Sequence, residues 1–212
     1  MTRFSALVAV TVGLGLVVFY THPARAVALD TNSAPVDTGN GITGVVDMIQ
    51  SGVTNFAASV SDSVSAPNVQ AFLKLIRTGE GTTDMAGYSR LFGGAQFVSF
   101  VDHPRVAVPF GNTHSTAAGA YQILAGTWDE IAAQYGLQDF SPANQDIAAV
   151  ALIKRRGALG DVLAGRFATA IAKCNREWAS LPGSPYGQPT LTLARAGDIL
   201  VAQGVTSAES FA

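Results

Sequence analysis

The chain has 212 residues, a formal net charge of -2 and only 13% charged side chains, so electrostatics offers no handle for nucleic acid. Cys174 is the only cysteine, which excludes an intramolecular disulfide. His22, His103 and His114 are the only histidines and match no metal-ligand spacing, so no metal or organic cofactor is expected.

Taken in chain order, the first feature is an apolar run from Phe4 to Tyr20, preceded by Arg3 and broken by His22 and Pro23. Small-x-small patterns follow at Ala24-Arg25-Ala26 and Ala26-Val27-Ala28. The run is as long as a signal-peptide core and slightly short for a membrane span. Residues 1–28 are expected to be a signal peptide or an uncleaved signal-anchor. Ser5, Thr11, Gly13 and Gly15 dilute the run, so a retained anchor would be a weak one.

Residues 29–67 are rich in Asp, Ser, Thr, Asn, Gly and Val and hold no Trp, Tyr, Lys or Arg. This composition reads as a linker. Val45, Val46, Ile49, Val53, Phe56 and Val60 recur at spacings of three and four, so an amphipathic helix within the linker is an equal reading.

Residues 68–212 read as one domain. Asn68 can cap a helix with Val69, Phe72, Leu73 and Ile76 on its apolar face and Gly79 as its stop. Phe97, Phe100 and Val101, then Val106, Val108 and Phe110, read as short strands. Thr127 with Glu130 forms a capping box for a helix that ends at Gly136. Ser141-Pro142 opens the next helix, which runs to about Arg156. Phe167, Ile171, Cys174 and Trp178 share one helical face, and a last helix spans about Leu191 to Gln203. Helix, small sheet, then several helices is an α+β pattern with the sheet segregated to one side.

Glu80 directly follows the Gly79 stop. A carboxylate there faces the negative end of the helix dipole, and burial in a cleft would add desolvation. Both disfavour ionisation, as a general acid near neutral pH requires. A solvated glutamate at a helix end is the plainer reading of this spacing alone.

The surrounding motifs favour the acid. Gly87-Tyr88, Gly93-Gly94, Asp102-His103-Pro104-Arg105, Ser115-Thr116-Ala117-Ala118-Gly119-Ala120-Tyr121-Gln122, Asp139-Phe140-Ser141-Pro142, Gln145-Asp146, Arg156-Gly157-Ala158-Leu159, Ala179-Ser180-Leu181-Pro182-Gly183 and Tyr186-Gly187-Gln188 occur in that order. Together, from about Gln70 to Gln188, they resemble the phage lambda endolysin family of lytic murein transglycosylases.

The resemblance implies a lysozyme-like α+β fold, mostly helical, with a small antiparallel sheet lobe flanking the cleft. It implies peptidoglycan glycan strands as substrate and cleavage between N-acetylmuramic acid and N-acetylglucosamine without water. Glu80 falls on the family's catalytic glutamate. It would protonate the departing oxygen and then take the proton of the muramyl C6 hydroxyl, leaving a 1,6-anhydro end. A hydrolytic muramidase on the same fold and a catalytically silent murein-binding module are the alternatives. Because murein lies beyond the inner membrane, the chain is expected to be exported. It would be periplasmic, or held at the inner membrane by its N-terminal segment if that is uncleaved. Its use would be phage or prophage host lysis or local wall opening, and a monomer is expected.

Two departures stand out. Ser89 replaces the aspartate that follows the Gly-Tyr pair in the family, and the T4-type hydrolytic lysozymes also carry an aspartate at this spacing. The stretch Thr82–Ala86 is shorter than its counterpart, so the loop beside the acid should differ.

Substrate contacts are expected from Tyr88, Asp102, His103, Ser115, Tyr121, Gln122 and Tyr186. The tyrosines could meet sugars through amphipathic rings or sit in the core with satisfied hydroxyls. Asp102 and His103 fit either a cleft wall or a turn scaffold fixed by Pro104. The small residues from Ser115 to Gly119 fit either close approach to an acetamido group or tight packing.

Overall fold

The computed structural model describes residues 60–211 in full, together with the backbone of residues 8–12 and 15–19. The chain divides into two units, Met1–Val45 and Val46–Ala212. In the first, strand β1 (Val8–Val12) pairs antiparallel with β2 (Gly15–Phe19). The expected cleavage sites, and all but the last residue of the suggested 45–60 helix, lie outside the described residues.

The second unit is built around α1 (Pro67–Gly79), which packs against α3 (Pro142–Arg155), α4 (Leu159–Leu163) and α6 (Leu193–Ala202). Its apolar stripe explains that central place. Val69, Ala71, Phe72, Leu73, Leu75 and Ile76 are all buried, and the Phe72 ring stacks on Phe167 of α5 (Phe167–Cys174) at 6.3 Å. The packed body starts upstream of the expected boundary at 68. A helical turn ends at residue 64, and Val60 is fully buried in the same core. Among the described residues no helix is long and apolar enough to cross a membrane.

Some elements start where the sequence places them. Ser141 caps α3, its hydroxyl accepting from the Asn144 N–H, with Pro142 at the first position. Others do not. The helix α2 (Ala125–Tyr135) begins before Thr127, and the Ala125 N–H is taken by the Thr116 hydroxyl, so a distant partner replaces the local cap. The helix carrying Phe167 stops at Cys174, leaving Trp178 in the following turn. Cys174 is fully buried, and burial pushes its thiol up to about 12.

The sheet lobe is smaller than expected. Among the described residues of this lobe only β3 (Val108–Phe110) and β4 (Thr113–Ser115) form a ladder, in antiparallel register with Pro109 opposite His114. Phe97 and Phe100 spend their backbones elsewhere. The Phe97 N–H donates to Ser89, and the Phe100 carbonyl accepts from Phe140. Their rings meet at 5.2 Å, and Phe97 lies 5.9 Å from Phe140. Isolated bridges from Arg90 to Gln96 and from Leu91 and Ile123 to Ala118 tie this lobe together.

One buried amide anchors the lobe to the helices. Gln145 is fully buried, accepts from the Ala120 N–H and donates to the carbonyls of Tyr88 and Phe140. Every polar atom of that amide is thus engaged, as burial demands. Gly119 makes the approach possible. Its φ is +76°, and a Cβ there would run into the Gln145 side chain.

Candidate active site

A cleft of about 520 Å³ opens where α1 ends. Its walls come from Gly79–Gly81, from Arg90 to Gly94, from Gln122, and from Ala179, Ser180, Gln188 and Pro189. Glu80 is the only carboxylate among these lining residues.

Glu80 is the C-cap of α1, with its N–H donating to the Ile76 carbonyl. Gly79 is thus the last helical residue, and the left-handed glycine beyond the cap is Gly81, at a φ of 68°. Glycine is needed at 79 for space: a Cβ would collide with the Ser180 side chain, whose own Cβ would lie 2.9 Å away. Ser180 Oγ donates to Glu80 Oε1 at 2.6 Å. Burial raises the Glu80 carboxyl above the ordinary glutamate range, and the serine hydrogen bond opposes part of that rise.

Arg90 forms the wall beside the acid. It donates to the Gly81 carbonyl at 2.5 Å and grips both oxygens of Asp84 at 3.0 and 3.2 Å. Asp84 itself is largely exposed. Ser89 turns its hydroxyl to the Ala86 carbonyl and does not line the cleft, so nothing at that position replaces the family's aspartate.

The expected contact residues divide sharply. Gln122 lines the cleft with a φ of 47°, an uncommon conformation for a non-glycine residue. Its amide donates to the carbonyls of Arg90 and Gly119, which fixes the side chain against the wall.

Tyr88 and Tyr121 lie elsewhere. Both are buried and both hydroxyls donate to Asp146 Oδ1, at 2.9 and 2.6 Å. With Arg77, whose guanidinium stands 4.5 Å over the Tyr88 ring, they line a separate pocket of about 270 Å³. They are core tyrosines with satisfied hydroxyls.

Asp102 and His103 also miss the cleft lining and build a turn. Asp102 Oδ1 accepts from the His103 N–H and from the Trp128 indole, and Oδ2 accepts from Arg105. His103 is buried, its Nε2 2.9 Å from the Ile123 carbonyl, and burial lowers its basicity. Ser115 accepts from the Ala117 N–H at the end of β4. Tyr186 is exposed and donates to the Arg176 carbonyl. Of the seven expected contacts, only Gln122 is in the cleft lining.

Ser180, Arg90, Phe92 and Gln188 are cleft residues that no expected contact covered. Ser180 is 100 positions from Glu80, beyond the reach of any local periodicity. The Ala179-Ser180-Leu181-Pro182-Gly183 motif was the available signal, and it carries no chemistry by itself.

A desolvated acid in a cleft bordered by a helical body and a small antiparallel lobe defines a lysozyme-like glycosidase. The chain belongs to the endolysin family, whose model matches residues 70–206; it is a cell-wall-degrading enzyme of that kind. The endolysin of Escherichia phage lambda is 44% identical over 126 residues, covering 56% of this chain and 80% of the relative. The endolysin of Escherichia phage P2 is 42% identical over 137 residues, covering 57% and 83%. The solved structure of bacteriophage lambda lysozyme complexed with a chitohexasaccharide matches with a TM-score of 0.64 at 38% identity, covering 66% of this chain and 96% of that one. A second structure of lambda lysozyme gives 0.59 at 37% identity over the same shares.

Proposed function

We propose that the chain is a lytic transglycosylase that cuts peptidoglycan between N-acetylmuramic acid and N-acetylglucosamine, leaving 1,6-anhydro-muramyl ends. The observation that carries this reading is that Glu80 is the lone carboxylate of the cleft lining, its carboxyl raised above the ordinary glutamate range by burial. Hydrolysis by the usual route needs a second carboxyl group as nucleophile or base. Asp84, the acidic residue closest to Glu80 in sequence, is outside the lining and held by Arg90. A single carboxyl suffices when the second nucleophile is the sugar's own C6 hydroxyl.

Glu80 gives its proton to the departing glycosidic oxygen as the bond to C1 breaks. The resulting carboxylate takes the proton of the C6 hydroxyl as that oxygen closes on C1. The acid is regenerated and no water is consumed. The glycan bound to lambda lysozyme supports a sugar strand as occupant of this cleft. The apolar run from Phe4 to Tyr20 fits the export that a murein substrate requires. Host lysis by a phage or prophage is the use that the relatives favour.

The test is digestion of purified sacculi with the full chain and mass analysis of the released muropeptides. Anhydro-muramyl ends, absent from a Glu80→Gln digest, are expected. Reducing muramyl ends, heavier by one water, would overturn the transglycosylase reading in favour of a muramidase. No release by the folded chain would overturn catalysis altogether.

A further inference from the structure

We propose that Ser180 is the positioning residue of the reaction: it holds one oxygen of the Glu80 carboxyl, so that the other carries the proton into the cleft. The proposal rests on Glu80 being the acid, and not on whether water or the C6 hydroxyl completes the cycle.

The geometry is specific. The Ser180 hydroxyl donates to Oε1, so in the acid form Oε1 serves as the carbonyl oxygen and the proton belongs on Oε2. An unheld carboxyl would rotate and offer its proton in several directions, and orientation of this kind governs rate strongly. The residue facing the serine is glycine: any side chain at Gly79 would occupy the place of the Ser180 hydroxyl. An otherwise unfavourable residue in the last turn of a helix is thus explained by the approach it permits.

The strap that carries Ser180 is itself fixed. Leu181 is fully buried, the Trp178 indole donates to the Tyr121 carbonyl, and Asn175 donates to the carbonyls of Pro182 and Gly183. The Leu191 N–H donates to the backbone carbonyl of Ser180 at 2.8 Å. None of these bonds uses the Ser180 hydroxyl, so Ser180→Ala removes the contact to Glu80 while leaving the strap in place.

The bond also favours the carboxylate over the acid. Its loss therefore raises the pH at which Glu80 deprotonates, and the alkaline limb of kcat/KM moves upward.

The experiment measures murein cleavage by the full chain from pH 4 to 9, as wild type, Ser180→Ala, Gly79→Ala and the double variant. Wild type against Glu80→Gln tests the acid itself, so its failure is separate from that of this proposal. Ser180→Ala is expected to lose roughly ten- to a hundredfold in kcat with KM changed less than about twofold, and to shift the alkaline limb up. Gly79→Ala should shift it the same way by displacing the hydroxyl. In the Ser180→Ala background, Gly79→Ala should cost much less, since the oxygen it meets is gone. A wild-type kcat and limb in Ser180→Ala would overturn the proposal. So would a loss confined to KM with the limb unmoved, which would make Ser180 a sugar contact.

Discussion

Two part-buried carboxyl groups line two separate pockets of the molecule, and their surroundings differ. Burial raises both Glu80 and Asp146 above their ordinary ranges. Asp146 is wired into the fold: Tyr88 and Tyr121 both donate to one of its oxygens, with Arg77 beside them. Glu80 has one serine hydroxyl on one oxygen and a 520 Å³ cleft in front of it. Among the described residues each accepts hydrogen bonds on one oxygen and each borders a pocket, so the difference lies in the company: two tyrosine hydroxyls converge on Asp146 beside a pocket of about 270 Å³, and a single serine hydroxyl holds Glu80 in the larger cleft. A perturbed pKa alone would not separate the two.

The contrast can be broken by removing each carboxyl in turn. Glu80→Gln is expected to lower murein cleavage by about 10²–10⁴-fold with the fold unchanged, read as muropeptide release per folded molecule. Asp146→Ala should do the reverse. It leaves two tyrosine hydroxyls without their acceptor and should cost about 2–3 kcal/mol in urea unfolding, with activity per folded molecule within about twofold of wild type. Loss of catalysis without loss of stability in Asp146→Ala would erase the distinction.

The pH dependence sharpens it further. Glu80 has a folded pKa above its unfolded one, so its stabilising contribution is complete below the unfolded value. That contribution is lost as pH rises through the folded value. Glu80→Gln removes the titration, so its melting temperature relative to wild type should rise between pH 4 and pH 8. A constant difference would mean that Glu80 titrates alike in both states. The smallest effect belongs to Asp84, a largely exposed carboxylate paired with Arg90. Asp84→Ala should leave the urea midpoint unchanged within error, as exposed ion pairs generally do.

The helices and the place of Glu80 at a helix end were legible in the sequence because their signals are local. The stripe from Val69 to Ile76, Ser141 with Pro142, and Glu80 after Gly79 each sit within a few residues. The family motifs raised Glu80 above an ordinary helix-end glutamate. The cleft wall was not legible in the same way. Tyr121 and Gln122 are neighbours in sequence, yet one is buried against Asp146 and the other faces the cleft. Only the left-handed backbone at Gln122 and the packing of Gln145 under Gly119 decide which goes where. Asp102 and His103 read equally well as wall or turn, and the Trp128 indole, 26 positions away, fixes the answer. The strands around Phe97 and Phe100 failed for a related reason: apolar side chains at sheet-like spacing were recruited by the Phe140 ring.

Cys174 gives the core a built-in clock. Its sulfur is sealed in the interior, and with the thiol pushed up to about 12 almost no thiolate exists at neutral pH. A maleimide or disulfide reagent can reach it only when the helices around it separate. The labelling rate thus times cooperative opening of the native molecule without any added probe. As the chain's only sulfhydryl, it can form no disulfide within the chain, so a single labelling event reports each opening.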